Sequence, residues 1–122
     1  MSYTAPMAYV DGFLLPVPTK NLAAYRKVSR QAGKIWMEYG ALAYTECVAD
    51  DLDDERRAMF ARSVKLKPDE TLVFSWILYK SRAERNRINK KVTADPRLKA
   101  PEAMPFDMKR MVWGGFKTLV QL

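Results

Sequence analysis

Thr71-Leu72-Val73-Phe74-Ser75-Trp76-Ile77-Leu78-Tyr79 is the stretch whose reading decides the fold. Alternation places Val73, Ser75, Ile77 and Tyr79 on one face of a strand and Leu72, Phe74, Trp76 and Leu78 on the other. Both faces are apolar, which predicts a central strand covered on both sides. Lys67-Pro68-Asp69-Glu70 reads as the tight turn that enters it. Beyond it, Ser81 and Glu84 have the spacing of a capping box, and the helix they open is stopped by Asp95-Pro96.

Upstream, Met7 to Val17 reads as a first strand, with Tyr9, Asp11, Phe13 and Leu15 opposite Val10, Gly12 and Leu14. A helix is predicted from about Asn21 to Tyr39, because Leu22, Tyr25, Ala32, Ile35, Trp36 and Tyr39 recur at helical spacing and Gly40 supplies a stop. Lys20, Lys27, Arg30 and Lys34 occupy its other side. A second strand spans about Ala41 to Ala49 and closes in the acidic stretch Asp50, Asp51, Asp53, Asp54 and Glu55, read as a solvated turn. Arg57 to Leu66 is read as an extended arm from the alternation of Phe60, Arg62, Val64 and Leu66, although Ala58 to Arg62 suits one helical turn. The last strand, about Arg110 to Val120, contains Gly114-Gly115, where a bulge or bend is expected.

The order strand, helix, strand, strand, helix, strand is the split βαβ pattern of the ferredoxin-like fold, an α+β class with an antiparallel sheet and both helices on one face. The length of 122 residues fits this single domain. The other sheet face is left bare, at the limit of apolar patch size for a monomer, so a homodimer through that face is expected.

Histidine is absent, which removes Ser-His-Asp and Cys-His catalysis, imidazole haem ligation and the common histidine metal sites. Acid–base chemistry falls to a carboxylate, a tyrosine, a lysine or the lone thiol, and neither metal nor cofactor is predicted. With Cys47 alone, no internal disulfide can form, and a reducing, cytoplasmic compartment is expected. Cys47 itself reads as a small buried apolar residue. Met1 to Val10 does not read as a secretory signal, and no apolar run reaches the ~18 residues of a membrane span. A net charge of +7 permits an anionic ligand or nucleic acid without demanding either. RNA is disfavoured as a partner, because Thr71 to Trp76 does not match the stacking motif of an RNA-binding sheet.

Tyr9-Val10-Asp11-Gly12-Phe13, Gly40-Ala41-Leu42, Glu46-Cys47, Val73-Phe74-Ser75-Trp76, Met104-Pro105-Phe106-Asp107, Lys109-Arg110-Met111 and Gly114-Gly115-Phe116 resemble, in order, the YbaA-like bacterial proteins. These form a domain-of-unknown-function family within the dimeric α+β barrel superfamily. The resemblance implies a ferredoxin-like protomer whose bare sheet meets a partner's to close a barrel. It implies no activity, although relatives in the superfamily include cofactor-free monooxygenases and isomerases. One position departs from the pattern: Met108 follows Phe106-Asp107 where the family has glycine.

Six residues stand out as ligand-binding candidates. Asp11 and Glu46 are acids inside strands, where an unpaired charge is costly, so each either pairs with an arginine or serves as a proton-transfer or ligand-orienting carboxylate. Arg85 and Asn89 share one side of the second helix and either look into the cleft or belong to a solvated face. Asp107 and Arg110 either close over one end of the cleft or tie a turn together. The expected function is a homodimeric module that holds a small polar or anionic molecule between sheet and helices. A cofactor-free enzyme using the same cleft is the alternative, and an RNA-binding module the third reading.

Overall fold

A computed structural model describes residues 8–98 and 104–122, so Met7, at the start of the expected first strand, lies outside it. Four strands, β1 (Tyr9–Pro18), β2 (Ala43–Val48), β3 (Glu70–Tyr79) and β4 (Val112–Lys117), pair antiparallel in the order β2-β3-β1-β4. Helices α1 (Leu22–Tyr39), α2 (Asp54–Val64) and α3 (Arg82–Ala94) connect them. This is the expected ferredoxin-like α+β arrangement, with α2 added between β2 and β3. The central pair is long: β1 and β3 match residue for residue from Tyr9 opposite Tyr79 to Pro18 opposite Glu70.

Register settles which face the helices cover. Tyr9, Asp11, Phe13 and Leu15 of β1 share a face with Val73, Ser75, Ile77 and Tyr79 of β3 and with Tyr44, Glu46 and Val48 of β2. Ile77 and Tyr79 are buried with Ile35 and Ala41 after α1 and with Ile88 and Val92 of α3, while Leu15, Val17 and Val73 are buried with Tyr25 of α1. Asp11 and Glu46 therefore lie under the helices. Gly40 ends α1 at φ 116°, a left-handed conformation that glycine adopts without steric cost. Ser81 opens α3 as read, accepting the Glu84 amide at 3.1 Å, but only half of the capping box forms, because the Glu84 carboxylate turns to Arg87 at 2.7 Å.

Three expectations are corrected. Residues 54–64 are helical, not extended: Asp53 caps α2 by accepting the Arg56 amide at 2.8 Å, and Asp54 and Glu55 favour the positive end of its dipole. The acidic stretch that reads as a turn is thus a helix start. The two glycines of β4 make no bulge, for Gly114 and Gly115 stay in register with Gly12 and Asp11. Cys47 is exposed, since it points away from the helices on an edge strand. Met108, by contrast, needs no glycine. It begins a 3-10 turn, and Lys65 is the one non-glycine residue with positive φ among the described residues.

The face away from α1 and α3 carries Val10 and Leu14, Thr45 and Cys47, Leu72, Phe74, Trp76 and Leu78, and Val112 and Phe116. No charge projects from its middle. Helix α2 reaches only one end, where Phe60 with Leu14, Leu72 and Phe74 borders a hollow of about 320 Å³. Phe74 is 52% exposed, Val112 49% and Phe116 63%.

Candidate functional site

The structure sorts the six sequence-predicted residues into three clusters. The first joins Asp11, Arg85 and Asn89. Asp11 is 1% exposed. Its Oδ1 takes a hydrogen bond from Arg85 Nε at 3.0 Å and lies 2.9 Å from Nη2 in the ion pair. Its Oδ2 accepts from Asn89 Nδ2 at 3.2 Å. The Tyr79 hydroxyl lies 3.0 Å from both Asp11 Oδ2 and Asn89 Oδ1, with one proton to give, and Trp36 Nε1 donates to Asn89 Oδ1 at 3.0 Å. Burial, reinforced by the Asp11 charge, pushes the Tyr79 hydroxyl well above the usual tyrosine range, so it stays a donor.

Gly115 sits opposite Asp11 in the ladder, and a Cβ there would run first into the Tyr9 ring and hydroxyl and would come within 2.9 Å of Arg85 Nη2. Its missing side chain leaves room for Tyr9 and Arg85 together, and the guanidinium lies 5.5 Å from the Tyr9 ring centre. No buried side-chain polar atom is left without a partner among the described residues. The cluster saturates itself and fixes α3 on the sheet.

The second cluster surrounds Glu46 and holds residues that the sequence reading missed. Tyr25 donates a hydrogen bond to Glu46 Oε1, and the Tyr44 hydroxyl approaches Oε2 at 3.2 Å and Ser29 Oγ at 3.2 Å. Burial holds the Glu46 carboxyl above the usual glutamate range, and the bonds from Tyr25, Tyr44 and Ser75 offset part of that rise. Burial and the neighbouring Glu46 charge push both tyrosine hydroxyls upward as well.

These groups line a groove of about 880 Å³ between α1 and β2. Leu22, Ala23, Val48 and Val73 form its apolar walls, and Arg26 and Arg30 stand exposed at its rim. The signal was available in the spacing. Positions 22, 25, 26, 29 and 30 share one helical stripe, and Tyr44, Glu46 and Val48 alternate onto one strand face. Tyr25 reads from sequence as plain core because only its hydroxyl distinguishes it.

The third cluster is a tie. Arg110 bonds Glu70 Oε1 at 2.7 Å, Asp107 Oδ2 at 3.0 Å and the Lys65 carbonyl at 3.0 Å. Hydrogen bonding from Arg110 holds the Glu70 and Asp107 carboxyls below the usual range. Asp107 and Arg110 thus fasten their loop to α2 and β3, and the loop residue that reaches the Glu46 cluster is Phe106, edge-on to Tyr25 with ring centres 5.3 Å apart.

Fold and clusters define a ferredoxin-like α+β protein. A solved structure from Nitrosomonas europaea that carries the provisional name of antibiotic biosynthesis monooxygenase superposes with a TM-score of 0.50 at 12% identity, covering 96% of this chain and 95% of that one. The description "Protein of unknown function (DUF1428)" belongs to the family model that matches residues 8–108. The uncharacterized protein YbaA of Escherichia coli K12, like that of Shigella flexneri, is 44% identical over 115 residues, 93% of this chain and 98% of the relative. The chain belongs to this YbaA-like family. No helix among the described residues is long and apolar enough to cross a membrane.

Two outcomes follow. Arg85→Met leaves Asp11 buried without its cation and should cost about 3–5 kcal/mol in urea unfolding; a change below about 1 kcal/mol would show that the pair is not structural. Glu46 binds its proton more tightly folded than unfolded, so the wild type should lose stability relative to Glu46→Gln as pH rises from about 4.5 through the raised value, and then level off. A difference that grows in the opposite direction would contradict the burial of the carboxyl.

Proposed function

We propose that the protein is a homodimeric module that binds a small organic anion in the groove between α1 and β2. The observation that carries this reading is a half-buried carboxyl with two tyrosine hydroxyls at the base of an apolar groove rimmed by Arg26 and Arg30. Arginines at the mouth attract and orient an anionic oxygen, the walls cover an apolar body, and the hydroxyls and Glu46 meet polar groups that enter. Of the sequence-predicted residues, Glu46 is the one placed to touch such a ligand. Asp11, Arg85, Asn89, Asp107 and Arg110 hold the frame.

The open face supports the dimer. Burying about 1,200 Å² between two copies gives roughly 30 kcal/mol gross at ~25 cal/mol per Å², if all of it were apolar. Polar area lowers that gain, and association costs about 4–15 kcal/mol. The same face argues against RNA. Phe74, Trp76 and Phe116 could stack on bases, yet among the described strand residues of this face there is no lysine or arginine beside them to meet phosphates. Cytoplasmic residence belongs to the same reading, on the lone Cys47.

Sedimentation equilibrium at micromolar protein should give twice the 14.1 kDa chain mass, and a folded monomer would remove the dimer. In a thermal-shift screen, small carboxylates at about ten times their Kd should add about 1.4 kcal/mol and raise Tm by a few degrees, whereas amines of equal size should not. The Arg26→Ala, Arg30→Ala double variant should lose the shift. A shift that survives in it places the anion elsewhere.

A further inference from the structure

We propose that Glu46 is the proton acceptor for a carbon acid, and that the ligand is a small α-keto carboxylate with an apolar tail, an inference that rests on the groove being a ligand site. Each feature of the groove assigns one part of such a molecule. The carboxylate meets Arg26 and Arg30 at the rim. The tail lies along Leu22, Ala23, Val48 and Val73. The carbonyl and the carbon beside it then reach the hydroxyls and the carboxyl at the base.

Glu46 already accepts the Tyr25 and Tyr44 hydroxyls and a bond from Ser75, which leaves one lone-pair site of its carboxylate for an incoming proton. Its desolvation makes it a stronger base than an exposed glutamate, which suits the weak acidity of a C–H bond next to a carbonyl. Tyr44 is the hydroxyl free to help: it lies 3.2 Å from both Glu46 and Ser29, so it can exchange its bond to Glu46 for one to the ligand oxygen. Tyr25, hydrogen-bonded to Glu46 and braced by Phe106, positions the carboxylate instead.

The step balances without a cofactor. Glu46 takes the proton from the carbon, the C–H electron pair becomes the C=C bond, and the carbonyl π pair moves to oxygen. Tyr44 donates a hydrogen bond to that oxygen, which develops negative charge. Return of the proton from Glu46 to the same carbon regenerates the acid. Nothing is oxidised, and no group leaves.

The test is hydrogen–deuterium exchange in D2O, followed by proton NMR, with α-ketoisocaproate as probe and trimethylpyruvate, which has no hydrogen beside its carbonyl, as the binding control. Both acids should raise Tm, and the wild type should accelerate exchange of the α-ketoisocaproate methylene above buffer. Glu46→Gln should reduce that acceleration by at least ~100-fold while trimethylpyruvate still protects it. Glu46→Asp, which keeps the carboxylate, should retain measurable exchange and covers the event that the glutamine variant does not fold. Protection by both acids with no accelerated exchange would overturn the proton transfer and leave the binding site standing. Protection by neither would overturn both, and full exchange in Glu46→Gln would remove Glu46 as the acceptor.

Discussion

The antiparallel pairing of β1 with β3 is the constraint on which the rest of the structure depends. Side chains alternate strictly along a strand, so one register assigns every residue of both strands to a face. A slip of β1 by one residue would turn Leu15 and Val17 out of the core and bring Val10 and Leu14 in beneath the helices. Asp11 would move with them, away from Arg85 and Asn89. The pairing therefore decides at once where the core lies, where the acids lie and which face is left for a partner.

Two carboxylates brought under the helices by that pairing meet opposite fates. Asp11 faces α3, whose arginine and asparagine, with Tyr79, use up its lone pairs. A buried ion pair so fully satisfied is a support, since breaking it strands a charge where water cannot reach. Glu46 faces α1, which offers tyrosines instead of a cation. Hydrogen bonds from neutral hydroxyls do not repay the desolvation of a charge in full, so the Glu46 carboxyl keeps a raised affinity for protons. The groove beside α1, where the electrostatics are left incomplete, is for that reason the site proposed for ligand chemistry.

Much of this was legible in the residues. The doubly apolar Thr71 to Tyr79, the helical stripe of α1 and the cap at Ser81 carry local signals strong enough to set element type, and the ferredoxin-like topology follows from their order. Helix α2 was not legible, because Phe60, Arg62, Val64 and Leu66 alternate like a strand while the cap that starts the helix lies upstream at Asp53. Gly114-Gly115 suggested a bulge, since sequence cannot show that Tyr9 and an arginine from α3 occupy the space over Gly115. Asp11, Arg85 and Asn89 were correctly associated, but Glu46 was grouped with them when its partners are Tyr25 and Tyr44. Alternation tells which residues share a face, and only the packed helices tell which neighbour each one meets.

The central claim is that ligand chemistry resides at Glu46 and that the Asp11 cluster is framework. Backbone amide NMR during titration with α-ketoisocaproate tests it most directly. The account predicts shifts concentrated at residues 22–30 of α1 and 44–48 of β2, with the amides around Arg85 and Asn89 unmoved. Shifts concentrated instead around Asp11, Arg85 and Asn89, or spread over the open sheet face, would contradict it.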